Sequence, residues 1–467
     1  MSNKNIILGG GPTGIGIAIG LIDKGNNSQD ITLIEKSFKL GGLAGSFKSG
    51  DDIIDYGPHR LAPTIKEIVQ IAKETCGEDL LEKKSEHGVY INNKLYKFPP
   101  RILDWLNFNS IFFLIQTSMS FAANLFYLFK EKNSDFENIL VNKFGKYFYT
   151  QIIEPMATKV WGNSKTLDPY FVKKRFSQLN PTEFLIKRLK NRQDLNPNNF
   201  FYPRYGFQQL WDNIYDKKLN NKIKVKFETY PLSININDDN YIDEIKLNDK
   251  NINLGDLSKH IISSTIPVAE LIKTIKNFDK NEMEANLKKI ELRSMLLLFI
   301  KLDQPRTLPY RTIIFPQENV IFNRIFEQNL YSSDTVEESK SIIVADITFD
   351  LNKTEKEINC MIEKAKDDLS KLNFINKNKI ISLNTKFIKY AYVSPTQNSQ
   401  KAFVEIEKEL SKIKNLRLLG RFGVGEYDNS DYALESGINL SKFILNEVRS
   451  ETYSEYRKKG KDNIIVG

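Results

Sequence analysis

An apolar run, Ile6-Ile7-Leu8, leads directly into Gly9-Gly10-Gly11-Pro12-Thr13-Gly14. A strand that opens into G-x-G-x-x-G at Gly9, Gly11 and Gly14 has few folds available to it. Gly9 turns the chain sharply off the strand, Gly11 lets the backbone approach a pyrophosphate, and Gly14 lets the following helix pack against the sheet. The free N–H groups of that helix then face the phosphates. A second apolar strand, residues 31–34, ends on Glu35 about twenty residues beyond Gly14, where a carboxylate accepts hydrogen bonds from both hydroxyls of an adenosine ribose. Strand, glycine turn, helix, strand and terminal acid in this order predict a dinucleotide site; an ordinary glycine-rich turn would leave Glu35 and its spacing unexplained.

At 467 residues the chain suits two interwoven domains rather than one small core, and an apolar fraction of 41 % fits a globular protein. Cys76 and Cys360 are the only cysteines, which gives no disulfide framework and points to a reducing, cytoplasmic compartment. The first strand starts by Asn5, so a signal peptide is not expected. The net charge of +9 comes from a lysine bias along the whole chain; it would also suit anionic ligands or peripheral contact with the inner face of an anionic membrane. Neither a nucleic-acid-binding signature nor a metal site is expected. Residues 110–129 carry no formal charge and are long enough to span a bilayer, but polar residues interrupt them. A spanning helix there would split the fold, so the expectation is a buried helix, with a membrane-facing one as the alternative.

Along the chain the expected fold class is α/β: a Rossmann-like binding domain interwoven with a helical and β-sheet substrate domain. Residues 1–100 form the first cofactor-binding part, ending in a hairpin around Asn92-Asn93. Residues 101–200 form a mostly helical insertion, in which Asp135 caps a helix. Residues 201–275 return to the binding domain, with a strand at 260–264 turning into a helix through Pro267. Residues 276–405 hold a second sheet, with strands at 296–301, 312–315 and 320–326, and a helix at 355–372. Residues 406–449 close the binding domain, and 450–467 are a mobile tail.

Beyond Glu35 stand Lys39-Leu40-Gly41-Gly42 and then Tyr56-Gly57-Pro58-His59. Near the other end stand Gly420-Arg421-Phe422-Gly423, Tyr427 and Asp431. Together these resemble the flavoprotein superfamily that holds amine oxidases, protoporphyrinogen oxidases and UDP-galactopyranose mutases. The resemblance implies FAD as cofactor, bound non-covalently because neither cysteine lies near the motifs. It assigns the cofactor to Gly9, Gly11, Gly14, Glu35, Lys39, Gly41, Gly42, Gly420, Arg421 and Asp431. Lys39 replaces the usual arginine and supplies charge without a bidentate fork.

The middle of the chain resembles the mutase-like branch. Lys159-Val160-Trp161-Gly162 is followed by Arg175, and Asn323-Arg324-Ile325-Phe326-Glu327 is similar to the mutase segment whose arginine faces a sugar diphosphate. That likeness implies His59 over the flavin, Arg175 and Arg324 on the diphosphate, and Tyr427 facing the substrate. Two arginines hold a diphosphate bidentately and stabilise it as a leaving group. The substrate is then a small molecule, a UDP-sugar or another anionic or lipophilic compound. Departures lie beside these motifs: a second arginine after Arg175 is missing, Gln328-Asn329 stand where mutases carry His-Lys, and Tyr202-Pro203-Arg204-Tyr205-Gly206-Phe207 lacks a second glycine. The competing expectation is an oxidase or desaturase with an apolar or amine substrate, although no aromatic pair near Arg421 is evident from the sequence. The oligomeric state is not legible.

Overall fold

The computed structural model describes residues 4–23, 25, 30–91, 93–98, 116, 119–120, 135–176, 199–248, 251–253 and 260–444. Five strands from distant parts of the chain form a parallel sheet in the order Leu416–Leu418, His260–Ser264, Lys4–Leu8, Ile31–Ile34, Lys224–Lys226. The strand Lys4–Leu8 lies at its centre, with Ile7 opposite Leu33 on one side and Ser263 on the other. A central parallel strand is covered on both faces, which is why Ile6, Ile7 and Leu8 run without polar interruption. The helix Pro12–Asp23 covers one face and packs along Ser430–Ile444. The two helices touch almost backbone to backbone: a Cβ on Gly16 would strike the Leu434 carbonyl, and one on Gly437 the Thr13 carbonyl. The C-terminal helix is thereby fixed beside the N-terminal glycine turn.

The second large sheet has seven strands in the order Ile380–Val393, Leu292–Leu302, Ser341–Asp350, Arg324–Glu327, Thr312–Ile314, His87–Ile91, Lys94–Phe98. Both of its faces are packed. Met295, Leu297 and Phe299 join the core shared with the five-stranded parallel sheet, whereas Leu296, Leu298 and Ile300 face the helix Glu355–Ser370. That helix begins with a capping box, Thr354 and Glu357 each hydrogen-bonded to the other's backbone amide.

Two boundaries differ from expectation. The hairpin His87–Ile91/Lys94–Phe98 turns at Asn93 (φ 60°) as foreseen, yet it hydrogen-bonds in parallel to Thr312–Ile314 and so joins the second sheet. The strand expected at 320–326 starts only at Arg324, because the preceding residues form a turn in which the Ile321 amide donates to Asp368 at 2.8 Å.

Helices Phe136–Phe144, Glu154–Trp161 and Pro169–Phe176 make a small separate core around Leu140, Tyr149, Trp161 and Phe171. The first is capped by Asp135, whose carboxylate accepts from the Asn138 amide at 2.7 Å. No helix among the described residues is long and apolar enough to cross a membrane. Most of the apolar stretch at 110–129, and the whole tail at 450–467, lie outside the described residues.

Candidate active site

The glycine turn forms a cradle at the C-terminal end of the parallel sheet. Gly9 has φ +102°, and a Cβ on Gly14 would strike the Gly9 carbonyl, so the turn and the first helical turn are locked together. A Cβ on Gly11, by contrast, would meet nothing within 4 Å, whereas one on Gly42 would touch the Gly11 Cα at 3.5 Å. The space beside Gly11 is therefore open, at the start of the helix Pro12–Asp23, while the Gly42 loop packs against the glycine turn. Glu35 stands at the side of this cradle and accepts from the Gly10 amide and the Ser37 amide, each at 2.7 Å. Burial pushes its pKa up, while these amides pull it down. Each carboxylate oxygen keeps a free lone pair for a ligand hydroxyl.

The other cofactor candidates fall around the cradle with separate duties. Gly41 (φ +103°) packs against the Trp211 indole, so this position is held by a neighbouring side chain. Lys39 donates to the Ser46 carbonyl at 2.5 Å, and burial lowers its pKa against the raising effect of Asp212. Gly420 (φ +87°) opens the helix Arg421–Val424 beside Thr13. Asp431, 1 % exposed, accepts from the Ala62 and Tyr432 amides, and burial raises its pKa to about 6. It ties the loop after His59 to the C-terminal helix.

That loop is anchored from the other side by Asp55, which is also 1 % exposed. Its carboxylate accepts from Ser46 Oγ at 2.6 Å, Tyr202 OH at 2.8 Å and the Phe207 amide at 3.2 Å, and its own amide donates to Gln328 Oε1 at 3.0 Å. Burial outweighs these bonds and raises its pKa to about 6. Gln328, fully buried, also donates to Tyr202 OH at 2.9 Å. The departure at Gln328 therefore falls on a fully buried side chain that holds Asp55 and Tyr202 together. Phe207, standing where a second glycine was missed, packs against the His59 ring at 5.2 Å between centroids.

His59 and Arg324 meet across Gly57: a Cβ on that glycine would lie 3.7 Å from His59 Nε2 and 4.0 Å from Arg324 Nη2. Burial, with Arg324 and Arg421 nearby, pushes the His59 pKa down to about 3, so the ring is neutral; its Nδ1 has no partner. Arg324 Nε donates to Asp346 at 2.5 Å, which leaves both terminal nitrogens for a ligand. Burial alone would lower the Arg324 pKa, but Asp346 more than offsets it and keeps the guanidinium charged. Arg421 donates to the Asp428 carbonyl at 2.6 Å and sits 5.0 Å from the Tyr427 ring and 5.7 Å from the Tyr392 ring. Trp161 and Phe171 pack edge-on against Tyr427. Lys159, from the same motif as Trp161, points elsewhere. It donates to the Phe315 and Phe322 carbonyls and clamps its helix to the second sheet, with its pKa lowered to about 8 by burial. Arg175 lies on the helix Pro169–Phe176, with its side chain outside the described residues.

Two residues of this cleft were missed. Tyr392 stacks on Tyr427 with centroids 6.3 Å apart and planes 17° apart, which corrects the expectation that no aromatic pair stands near Arg421. Asp346 faces Arg324 directly across the sheet. Asp346 comes from a strand buried at nine consecutive positions and Tyr392 from the half-buried end of a long strand, and nothing local marks either as functional.

The region 7–75 matches a family described as the NAD(P)-binding Rossmann-like domain. No curated protein sequence matches the chain. Among solved structures, reduced UDP-galactopyranose mutase superposes with a TM-score of 0.81 at 18 % identity, covering 100 % of both chains. A protein from Exiguobacterium sp. 255-15, provisionally assigned as a protoporphyrinogen oxidase, gives 0.69 at 15 % identity over 96 % of this chain and 99 % of the other. A putrescine oxidase variant gives 0.60 at 9 % identity over 95 % and 99 %. The resemblance read from the motifs thus holds for the fold. This chain has the architecture shared by UDP-galactopyranose mutase and these oxidases, a Rossmann-like unit interwoven with a second-sheet unit. At these identities the likeness speaks for fold alone.

Proposed function

We propose that the chain is an FAD-dependent flavoenzyme of the UDP-galactopyranose mutase-like branch, acting on a nucleotide sugar or a related anionic small molecule. The open space beside Gly11, bounded by Glu35, the Gly42 loop and a helix N-terminus, fits a dinucleotide diphosphate and its ribose. Bound flavin supplies two-electron and nucleophilic chemistry that no side chain of the cleft has. The chain's own residues bind, orient and enclose. Arg324 and Arg421 draw an anion into the cleft, Tyr392, Tyr427 and Trp161 exclude water, and neutral His59 offers a hydrogen bond without charge. The observation that carries the reading is the meeting of His59 and Arg324 across Gly57, with the terminal nitrogens of Arg324 unengaged.

The test is chromatography of UDP-galactopyranose incubated with dithionite-reduced protein beside an oxidised control. A furanose product in the reduced sample alone supports the reading; yellow protein that yields none discards it. The stacked Tyr392–Tyr427 pair favours a second reading, an oxidoreductase acting on an amine or lipophilic substrate, which would bleach its own flavin when given that substrate. In either reading the compartment is cytoplasmic and reducing, and any membrane contact is peripheral.

A further inference from the structure

Asp346 stands in register with Arg324, strand against strand, and only one of its two oxygens is engaged. The residue is 1 % exposed, Oδ2 accepts from Arg324 Nε, and Oδ1 is buried without a partner. A buried acceptor left without a donor costs about 1–3 kcal/mol, and more when it is charged. Arg324, Tyr427, Asp346 and Arg421 all act electrostatically on Tyr392, which groups the Asp346 carboxylate with the residues of the cleft. Trp161 Nε1, a donor only, is likewise buried without a partner and lies beside Tyr427. Besides His59 Nδ1, the cleft therefore holds an unpaired acceptor, Asp346 Oδ1, and an unpaired donor, Trp161 Nε1, near Arg324.

We propose that Asp346 is the specificity-determining residue of this cleft: it selects a ligand bearing a hydroxyl donor next to the anion held by Arg324, and rejects an anionic ligand that turns phosphate oxygens toward it instead. The proposal rests on the reading that the cleft takes an anionic substrate. Phosphate oxygens turned toward Oδ1 would set acceptor against acceptor and negative charge against negative charge. A hydroxyl removes both conflicts, and a hydroxylated ring also offers an oxygen to the Trp161 N–H. Discrimination that rests on leaving a buried polar group unpaired is far stronger than discrimination by apolar fit.

Flavin-loaded wild type, Asp346→Asn and Asp346→Ala are titrated with UDP-galactopyranose and with UDP, following heat by calorimetry and the flavin spectrum as a check on folding. Wild type is expected to prefer the sugar nucleotide by about ten-fold or more. In Asp346→Asn the amide oxygen faces Arg324 Nε, so the amide NH2 takes the place of Oδ1. An acceptor becomes a donor, and the preference reverses toward UDP. In Asp346→Ala the preference disappears, mainly because UDP binds more tightly. A wild-type preference that survives in Asp346→Asn to within about two-fold overturns this role for Asp346 while leaving the substrate class standing. Failure of wild type to bind either nucleotide overturns the nucleotide-sugar reading and this role together. A residue that merely supported Arg324 would weaken both ligands alike and would not invert their order.

Discussion

The cradle around Gly11 and the cleft around Arg324 are made of different material. The cradle comes largely from one short stretch, Gly9 to Glu35 with Gly42, and its key contacts are backbone contacts: amides, a helix end, and places where a Cβ would collide. The cleft is made of side chains delivered by remote segments, namely His59, Trp161, Arg324, Asp346, Tyr392, Arg421 and Tyr427. Backbone geometry demands particular residues at fixed spacing, so it leaves a sequence motif. A side-chain cleft demands only that residues far apart in sequence face one another, so it leaves almost none. One cradle can therefore serve many chemistries, while substitutions in the cleft change the substrate.

If that contrast is right, damage to the two regions separates cleanly. Gly14→Val should have the largest effect, because the new side chain is driven into the Gly9 carbonyl; a loss above about 3 kcal/mol is expected, with protein recovered colourless or aggregated. Yellow Gly14→Val protein with a native melting temperature would break the comparison at its first point. Arg324→Lys keeps a positive charge beside Asp346 but loses the planar fork. Turnover should fall about a hundred-fold, roughly 2.7 kcal/mol in barrier, with flavin content unchanged. Flavin loss in this variant would show that cradle and cleft are not separable.

Acid tests the joint between the two regions. His59 and His87 both have pKa values pushed down to about 3, chiefly by burial, so they stay neutral in the fold and take up protons only on unfolding as pH drops below about 6.5. Each histidine therefore withdraws stability as pH falls, by up to about 2 kcal/mol between pH 6.5 and 5. Asp55 and Asp431, raised to about 6, act in the opposite sense and add stability between about pH 6 and 4. His87→Gln should accordingly shrink the drop in urea midpoint between pH 7.5 and 5, and Asp55→Asn should enlarge it; equal drops in all three proteins would dismiss these assignments. The smallest expected effect is at Glu35. Glu35→Ala should weaken flavin retention by about ten-fold, near 1.4 kcal/mol, without altering the product of any turnover that remains. Full flavin occupancy after extensive dialysis would remove Glu35 from the ribose.

Several elements were legible before the fold was known. The turn at Gly9, the strand His260–Ser264 with its Pro267 turn, the cap at Asp135 and the helix from Glu355 all rest on local rules of spacing, capping and backbone freedom. Gln328 shows the limit of such reading. It stands out in the sequence only as a departure from a motif, yet it is fully buried and hydrogen-bonded to Asp55 and Tyr202. Tyr392 was missed because one inward tyrosine in a long strand resembles any other core aromatic until its neighbour across space is known.

By itself the sequence determined the α/β class, the dinucleotide-type cradle and the order of segments. These depend on interactions within a few tens of residues and on positions where only glycine fits. The tertiary structure alone decided that the hairpin His87–Ile91/Lys94–Phe98 joins the second sheet, that Asp346 opposes Arg324, and that Tyr392 stacks on Tyr427. Strand pairing and register between segments far apart along the chain are set by how the buried faces fit together, and no local stretch of sequence encodes that fit.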